Sequence, residues 1–338
     1  MKPETEQLLA TVEVLIEGLS AGIGSEGDEP FQAFVFEEAT DKNNFTITEH
    51  LHKLNYFRYV EINTFLQEWQ RKLPNHLLKS QMSKQYSSLI QVLQAHLIEL
   101  QVYELITDNE GNCLDKVYSD DEPFLILIGQ TKANDWVGLS PLWSAPHTCG
   151  YGKRLERKIQ PPSQAALDLK AELEPILQEL QFVIGDSSRG YYPVKDIVWK
   201  VAHTKALLIE QLLESSRYMK TWEFHGFSDE YSQRYRDNEY FDNEVPEQEI
   251  QVSEEGEELW WQQYEIEGYG KLESENWIKN WDLNGVKYEF YSLEKFMFDN
   301  LRNRQIYVMG NSAIFRIYVV GRTKESDWLG ISTKAVWT

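Results

Sequence analysis

The chain has 338 residues, 42% of them hydrophobic, and a formal net charge of −21. That length suits two domains of ordinary size, and the apolar content excludes wholesale disorder. The charge argues against direct binding of DNA or RNA, whose affinity comes mostly from cations meeting phosphates; it suits plain solubility, or a partner with a basic surface.

The start, "MKPETEQLLA", has no basic region followed by an apolar core, and no apolar run is long enough to span a bilayer. The expectation is a soluble, cytoplasmic protein. Cys113 and Cys149 fit no zinc or redox spacing and read as two free thiols.

In chain order, "ETEQLLATVEVLIEGLS" places Leu8, Val12, Leu15 and Leu19 on one face of an amphipathic helix. The acidic stretch "GSEGDEP" follows, then strand-like Phe34, Val35 and Phe36. "GIGSEG" (22–27) matches the dinucleotide fingerprint literally, but that fingerprint needs a strand before it and a helix after. Here the order is reversed, so an acidic turn is the better reading. "EHLH" sets His50 and His52 on one side of a possible strand. Two histidines with no third ligand nearby suit a surface or edge pair better than a zinc site. Leu89, Leu93 and Leu97 have helical spacing, and "VYELI" and "CLDKVY" flank the turn-prone "TDNEGN" as a hairpin. The first half closes with apolar "FLILI" and "GQTKANDWVGLSPLW".

A stretch rich in proline, glycine and basic residues, "PLWSAPHTCGYGKRLERKIQPPSQ", then marks a linker. The second half restarts the pattern. "DLKAELEPILQEL" carries Leu169, Leu173, Ile176 and Leu180 at the spacing of the first helix, with Pro175 expected to weaken or kink it. A loop "GDSSRGYYP" and strand-like Ile197, Val198 and Trp199 come next. From Glu223 to Glu275 runs an insert with seventeen acidic and three basic residues, and aromatic rings interleaved. It is either a docking surface or a solvated excursion pinned by a few rings. Leu293, Met297 and Leu301 repeat the helical spacing of Leu89, Leu93 and Leu97, and "QIY" at 305 repeats "QVY" at 101. The end, "VVGRTKESDWLGISTKAVWT", repeats the "TKxxDWxG" run: Gly129, Thr131, Lys132, Asp135, Trp136, Gly138 and Ser140 recur as Gly321, Thr323, Lys324, Asp327, Trp328, Gly330 and Ser332.

A constant offset over so many positions predicts a tandem duplication of an α+β unit. The boundaries expected are 1–145 for the first domain, 146–164 for the linker and 165–338 for the second domain, whose insert is 223–275. There is no HExxH, GxSxG or phosphate-binding loop, and the carboxylates are too many to single out a catalytic pair. No cofactor and no catalysis are expected. Thr338, the last residue, follows the β-like "STKAVWT". Its carboxylate and hydroxyl are hard oxygen donors of the kind Mg²⁺ and Ca²⁺ prefer. On chemistry alone, the ordinary reading that any chain has to end somewhere stands beside that one.

"WLGISTKAVWT", the preceding "FRIYVVGRT", the helix–acidic loop–proline start and the "QVY/QIY" strand resemble the nuclease A inhibitor family. These are small acidic proteins, mostly cyanobacterial, that block a sugar-non-specific DNA/RNA endonuclease of the ββα-metal type. The resemblance covers most of 5–143 as one copy and 165–338 as another, interrupted by the insert. It implies two copies of a three-layer α-β-α sandwich similar to pathogenesis-related protein 1. It also implies that Thr338 enters the nuclease active site and contacts the nuclease's own Mg²⁺, with a glutamate of the acidic loop beside it. Glu26 matches that glutamate in the first copy. In the second copy Asp186 is the nearest carboxylate, Ser187 competes for the place, and Trp337 precedes the terminal threonine. The partner implied is a metal-dependent nuclease, with no direct contact to nucleic acid and none to membrane. The alternatives are a diverged protein–protein interaction module that works through the insert and, third, an enzyme with a cleft between the copies.

Overall fold

The computed structural model describes residues 1–19, 29–37, 45–63, 76–105, 124–142, 161–180, 182–186, 190–194, 197–216, 218–224, 285–310 and 314–336. The fold is mixed α and β, with two five-stranded antiparallel sheets, a small hairpin and six α-helices among the described residues.

The helices are α1 (Pro3–Leu15), α2 (Ile47–Lys53), α3 (His76–His96), α4 (Gln164–Glu179), α5 (Lys205–Ser215) and α6 (Gly285–Asn300). The strands are β1 (Gln32–Phe36), β2 (Phe57–Val60), β3 (Leu97–Leu105), β4 (Phe124–Thr131), β5 (Trp136–Pro141), β6 (Phe182–Asp186), β7 (Gly190–Val194), β8 (Ile197–Ala202), β9 (Met219–Glu223), β10 (Arg302–Gly310), β11 (Ile314–Arg322) and β12 (Trp328–Val336).

The first sheet has the order β1-β12-β11-β10-β9, and the second, read from its other edge, β8-β5-β4-β3-β2. The orders correspond, but each sheet takes an edge strand from the opposite half of the chain. β1 pairs with β12 through Gln32↔Ser332 to Phe36↔Trp328. β8 pairs with β5 through Ala202↔Trp136 to Ile197↔Pro141. The helix preceding each edge strand travels with it: α1 packs on α6, and α4 on α3.

Period-two alternation divides each strand between two cores. Phe124, Ile126 and Ile128 of β4 face a central core, while Leu125 and Leu127 face an outer one. Tyr318 and Val320 of β11 face that same central core, and Val319 the other outer one. The central core holds α2 (Ile47, Leu51) and α5 (Leu208, Leu212) and receives rings from both sheets. The order of layers is therefore helices, sheet, helices, sheet, helices. The paired leucine patterns lie where their spacing puts them. Leu89 and Leu93 join Leu169 and Leu173 in one outer core; Leu293 and Met297 join Val12 in the other. α4 runs through Pro175 to Glu179.

Repeated glycines mark close approaches. A Cβ at Gly129 would lie 2.9 Å from Leu97 and one at Gly321 2.7 Å from Leu301. At Gly138 it would meet Leu212 at 2.5 Å, and at Gly330 the ring of Phe34, also at 2.5 Å. Phe34 thus seats β1 on a gap that only glycine leaves in β12.

Two expectations change. "EHLH" is helical: Thr46 caps α2, its hydroxyl accepting from the Glu49 amide at 3.3 Å. His50 is buried and His52 exposed, so they share no face. The loop of the second half is a hairpin, β6–β7, closing at Asp186↔Gly190. The second arm expected after "VYELI", residues 146–160 of the linker and nearly all of the insert lie outside the described residues.

The His50 ring lies 4.1 Å from that of Phe34 and 5.5 Å from that of Tyr318, with its Nε2 unpartnered. Burial, and secondarily the charge of Lys53, push its pKa from 6.5 down to about 4. The folded state keeps His50 neutral, while the unfolded chain takes up a proton below pH 6.5. Stability is therefore lost as pH falls from 6.5 toward 4, by about 3 kcal/mol from this group. Leu208 stands four residues after the Thr204 cap of α5, as His50 does after Thr46. Urea titrations at pH 7 and pH 4.5 should show His50→Leu less acid-sensitive than the unsubstituted protein. An equal drop in both would assign the acid sensitivity elsewhere.

Candidate functional site

The repeated "TKxxDWxG" run forms the β4–β5 and β11–β12 turns. The Thr131 amide donates to the Asp135 carbonyl at 2.8 Å, and the Thr323 amide to the Asp327 carbonyl at 2.8 Å. Asn134 (φ 67°) and Ser326 (φ 76°) take the left-handed position of each turn.

The turn aspartates point at the incoming helices. The Ser163 amide, at the start of α4, donates to Asp135 Oδ2 at 2.7 Å, and His203 Nδ1 lies 3.5 Å from Oδ1. The Lys2 amide, before α1, donates to Asp327 Oδ2 at 3.5 Å. α1 has no side-chain cap from its own sequence at Lys2. The Thr5 amide instead donates to Glu325 Oε2 at 3.2 Å, and Lys2 Nζ to the Glu325 carbonyl. A helix N-terminus leaves amides that need acceptors, and here a turn more than three hundred residues away supplies them. The motif is a clasp that docks each helix on a sheet belonging largely to the other half.

At the far end of β12 a second contact crosses the chain. The Glu29 amide donates to the Lys334 carbonyl at 3.0 Å, and the Thr333 hydroxyl to the Glu29 carbonyl at 2.6 Å. Lys334 Nζ lies 3.1 Å from Glu29 Oε1. The Phe31 amide donates to the Leu19 carbonyl at 3.1 Å, closing the base of segment 20–28. On its inner side β12 remains paired with β11 as far as Ile314↔Val336. The acidic stretch of the first half is thus tied to the last strand of the second.

Glu26, Ser187, Trp337 and Thr338 lie outside the described residues. Glu26 is three residues from Glu29 in sequence, and Thr338 four from Lys334. Asp186 ends β6, in the connection from α4 to β8 at the edge of the other sheet. Sequence reasoning missed Glu29, Thr333 and Lys334; Glu29 was visible only as one of several acids in "GSEGDEP". Among the described residues, no group of three or more His, Cys, Asp or Glu side chains could hold a metal ion. No helix among them is long and apolar enough to cross a membrane.

The model of the family described as nuclease A inhibitor-like protein matches residues 6–141 and 269–338. The chain belongs to the nuclease A inhibitor-like family. Both matched stretches build the β1–β12 edge: α1 and β1 come from one, and β10 to β12 from the other. No curated protein matches the chain.

Substituting Asp135→Ala should lower stability by about 1–3 kcal/mol, because the Ser163 amide loses a charged acceptor beside a helix start. Asp327→Ala should cost less, about 1 kcal/mol, since its bond to Lys2 is longer. Denaturant unfolding measures both, and a larger loss at Asp327 would reverse the ranking.

Proposed function

We propose that this protein inhibits a metal-dependent, sugar-non-specific DNA/RNA endonuclease and has no catalysis of its own. Family membership supports the class of function. The observation that carries the reading is the tie between Glu29 and Lys334. It joins Glu29, three residues after Glu26 in sequence, to Lys334, four residues before Thr338.

In this reading the Thr338 carboxylate and hydroxyl reach the nuclease's own Mg²⁺, Glu26 assists beside them, and Trp337 fills a neighbouring pocket. Glu26 takes precedence over Asp186 and Ser187, because Asp186 ends a strand in the connection that leads to the other sheet. A nuclease cleft is positive around its metal so that it can hold a phosphodiester, and a protein of net charge −21 is steered toward it. The same reading takes the chain as a duplication with repeat units 1–145 and 165–338, each corresponding to a three-layer α-β-α sandwich similar to pathogenesis-related protein 1. The site of action is the cytoplasm. Two features support duplication: matching strand orders and the doubled turn.

The test is a titration against such a nuclease in Mg²⁺, with DNA cleavage and calorimetric affinity as readouts. Deleting Thr338 should weaken binding about a hundredfold, the loss of charged oxygen donors at a metal. Glu26→Gln should weaken it about tenfold and Asp186→Asn less than twofold. Salt sensitivity should persist in all three, because steering is left in place. Unchanged inhibition after removal of Thr338 would defeat this mechanism. If excision of 223–275 then abolished binding, the interaction-module reading would stand in its place.

A further inference from the structure

Among the described residues, the side-chain contacts that Thr333 and Lys334 make to Glu29 have no counterpart at the corresponding end of the other sheet. In the doubled turn Ser140 stands where Ser332 does, so Pro141 and Leu142 stand where Thr333 and Lys334 do. Proline has neither hydroxyl nor amide hydrogen to donate, and leucine carries no charge. In the β1–β12 sheet the same two places hold a hydroxyl donor at 2.6 Å and an ammonium at 3.1 Å, both directed at Glu29. The Lys334 side chain is 12% exposed and that of Glu29 34%. Water screens such a pair only in part, and the two hydrogen bonds fix its direction.

We infer that Glu29, Thr333 and Lys334 are positioning residues that equip one end of one sheet for docking, so that the chain holds a single nuclease molecule despite its two corresponding sheets. This rests on the inhibitor reading above. The clamp touches neither the nuclease nor its metal. It holds Glu29, just before β1, against Thr333 and Lys334 of β12, so that this edge meets a partner already ordered. The ordering cost is then met in the free protein rather than on binding. Since β1 comes from the first half of the chain and β12 from the second, the edge exists only because the two halves exchange strands.

Charge separates positioning from steering. Lys334→Met makes the chain more acidic, which favours encounter with a basic partner. Slower association is therefore not expected, and any loss must appear in dissociation.

The experiment uses the full chain and a metal-dependent non-specific nuclease in Mg²⁺, with surface-plasmon kinetics, native mass spectrometry at twofold nuclease excess, and amide hydrogen exchange at Glu29. The intact protein should give one nuclease per chain and a protected Glu29 amide. Lys334→Met and Glu29→Gln should each speed dissociation roughly tenfold, with association unchanged or faster in Lys334→Met and unchanged or slightly slower in Glu29→Gln, which loses one acidic charge. The exchanged pair Glu29→Lys with Lys334→Glu should recover most of the loss, which a merely destabilised fold would not. Two nucleases per chain, or wild-type dissociation in both single variants, would overturn the inference while leaving inhibition intact. An intact chain that binds no nuclease yet protects its Glu29 amide would instead sink the inhibitor reading, and the docking role with it.

Discussion

The antiparallel pairing of β1 with β12 is the constraint on which the other features depend, together with its counterpart between β8 and β5. A sheet needs its faces covered, and each of these sheets is completed by a strand and helix from the opposite half. Because α1 precedes β1, α1 must cover the sheet of β10, β11 and β12, and its Val12 joins Leu293 and Met297. Because β8 leads directly into α5 and β9, the chain must cross from one sheet to the other there, which places α5 in the central core. The crossing after β1 does the same for α2. A sheet on each side buries the inner face of α2, and this burial is what keeps His50 neutral.

The doubled turn shows how such an exchange is held. Each aspartate meets the first residues of an arriving helix, and at Glu325 a turn carboxylate does the capping that α1 does not do for itself. Repetition of these residues reflects two corresponding docking problems. The opposite ends of the sheets differ: β12 carries Thr333 and Lys334 and runs to Val336, whereas β5 ends at Pro141. Similarity is kept where both sheets need a clasp and lost where only one carries Glu29.

Much of the architecture was legible in the sequence. Leucine spacing found α1, α4 and the cores of α3 and α6, and the doubled run found both hairpin turns. The exchange of edge strands was not legible. β1 and β8 are both short and apolar, and each could pair with either closing strand as far as alternation alone decides. The choice rests on contacts such as Phe34 over Gly330 and Glu29 on Lys334, which span some three hundred residues and leave no periodic trace. The alternation of His50 and His52 suggests a strand where the chain forms α2. The Thr46–Glu49 spacing of a capped helix was present and would have corrected it. Family likeness suggests candidate site residues one at a time. The meeting of Glu29 with Lys334 was not legible, because it is a property of the pairing.

The crossed connectivity also bears on how the chain is made. The sheet of β2 to β5 receives its edge strand at Ile197–Ala202, so it can close while the last third of the chain is still being translated. The arm formed by α1 and β1, synthesised first, has its partner strand at Trp328–Val336 and must wait for almost the whole polypeptide to emerge. Until then Phe34 and Phe36 lack their sheet, and loop-closure entropy over that span opposes their docking. Such a delay leaves the apolar residues of this arm uncovered for longer than those of the other edge strand.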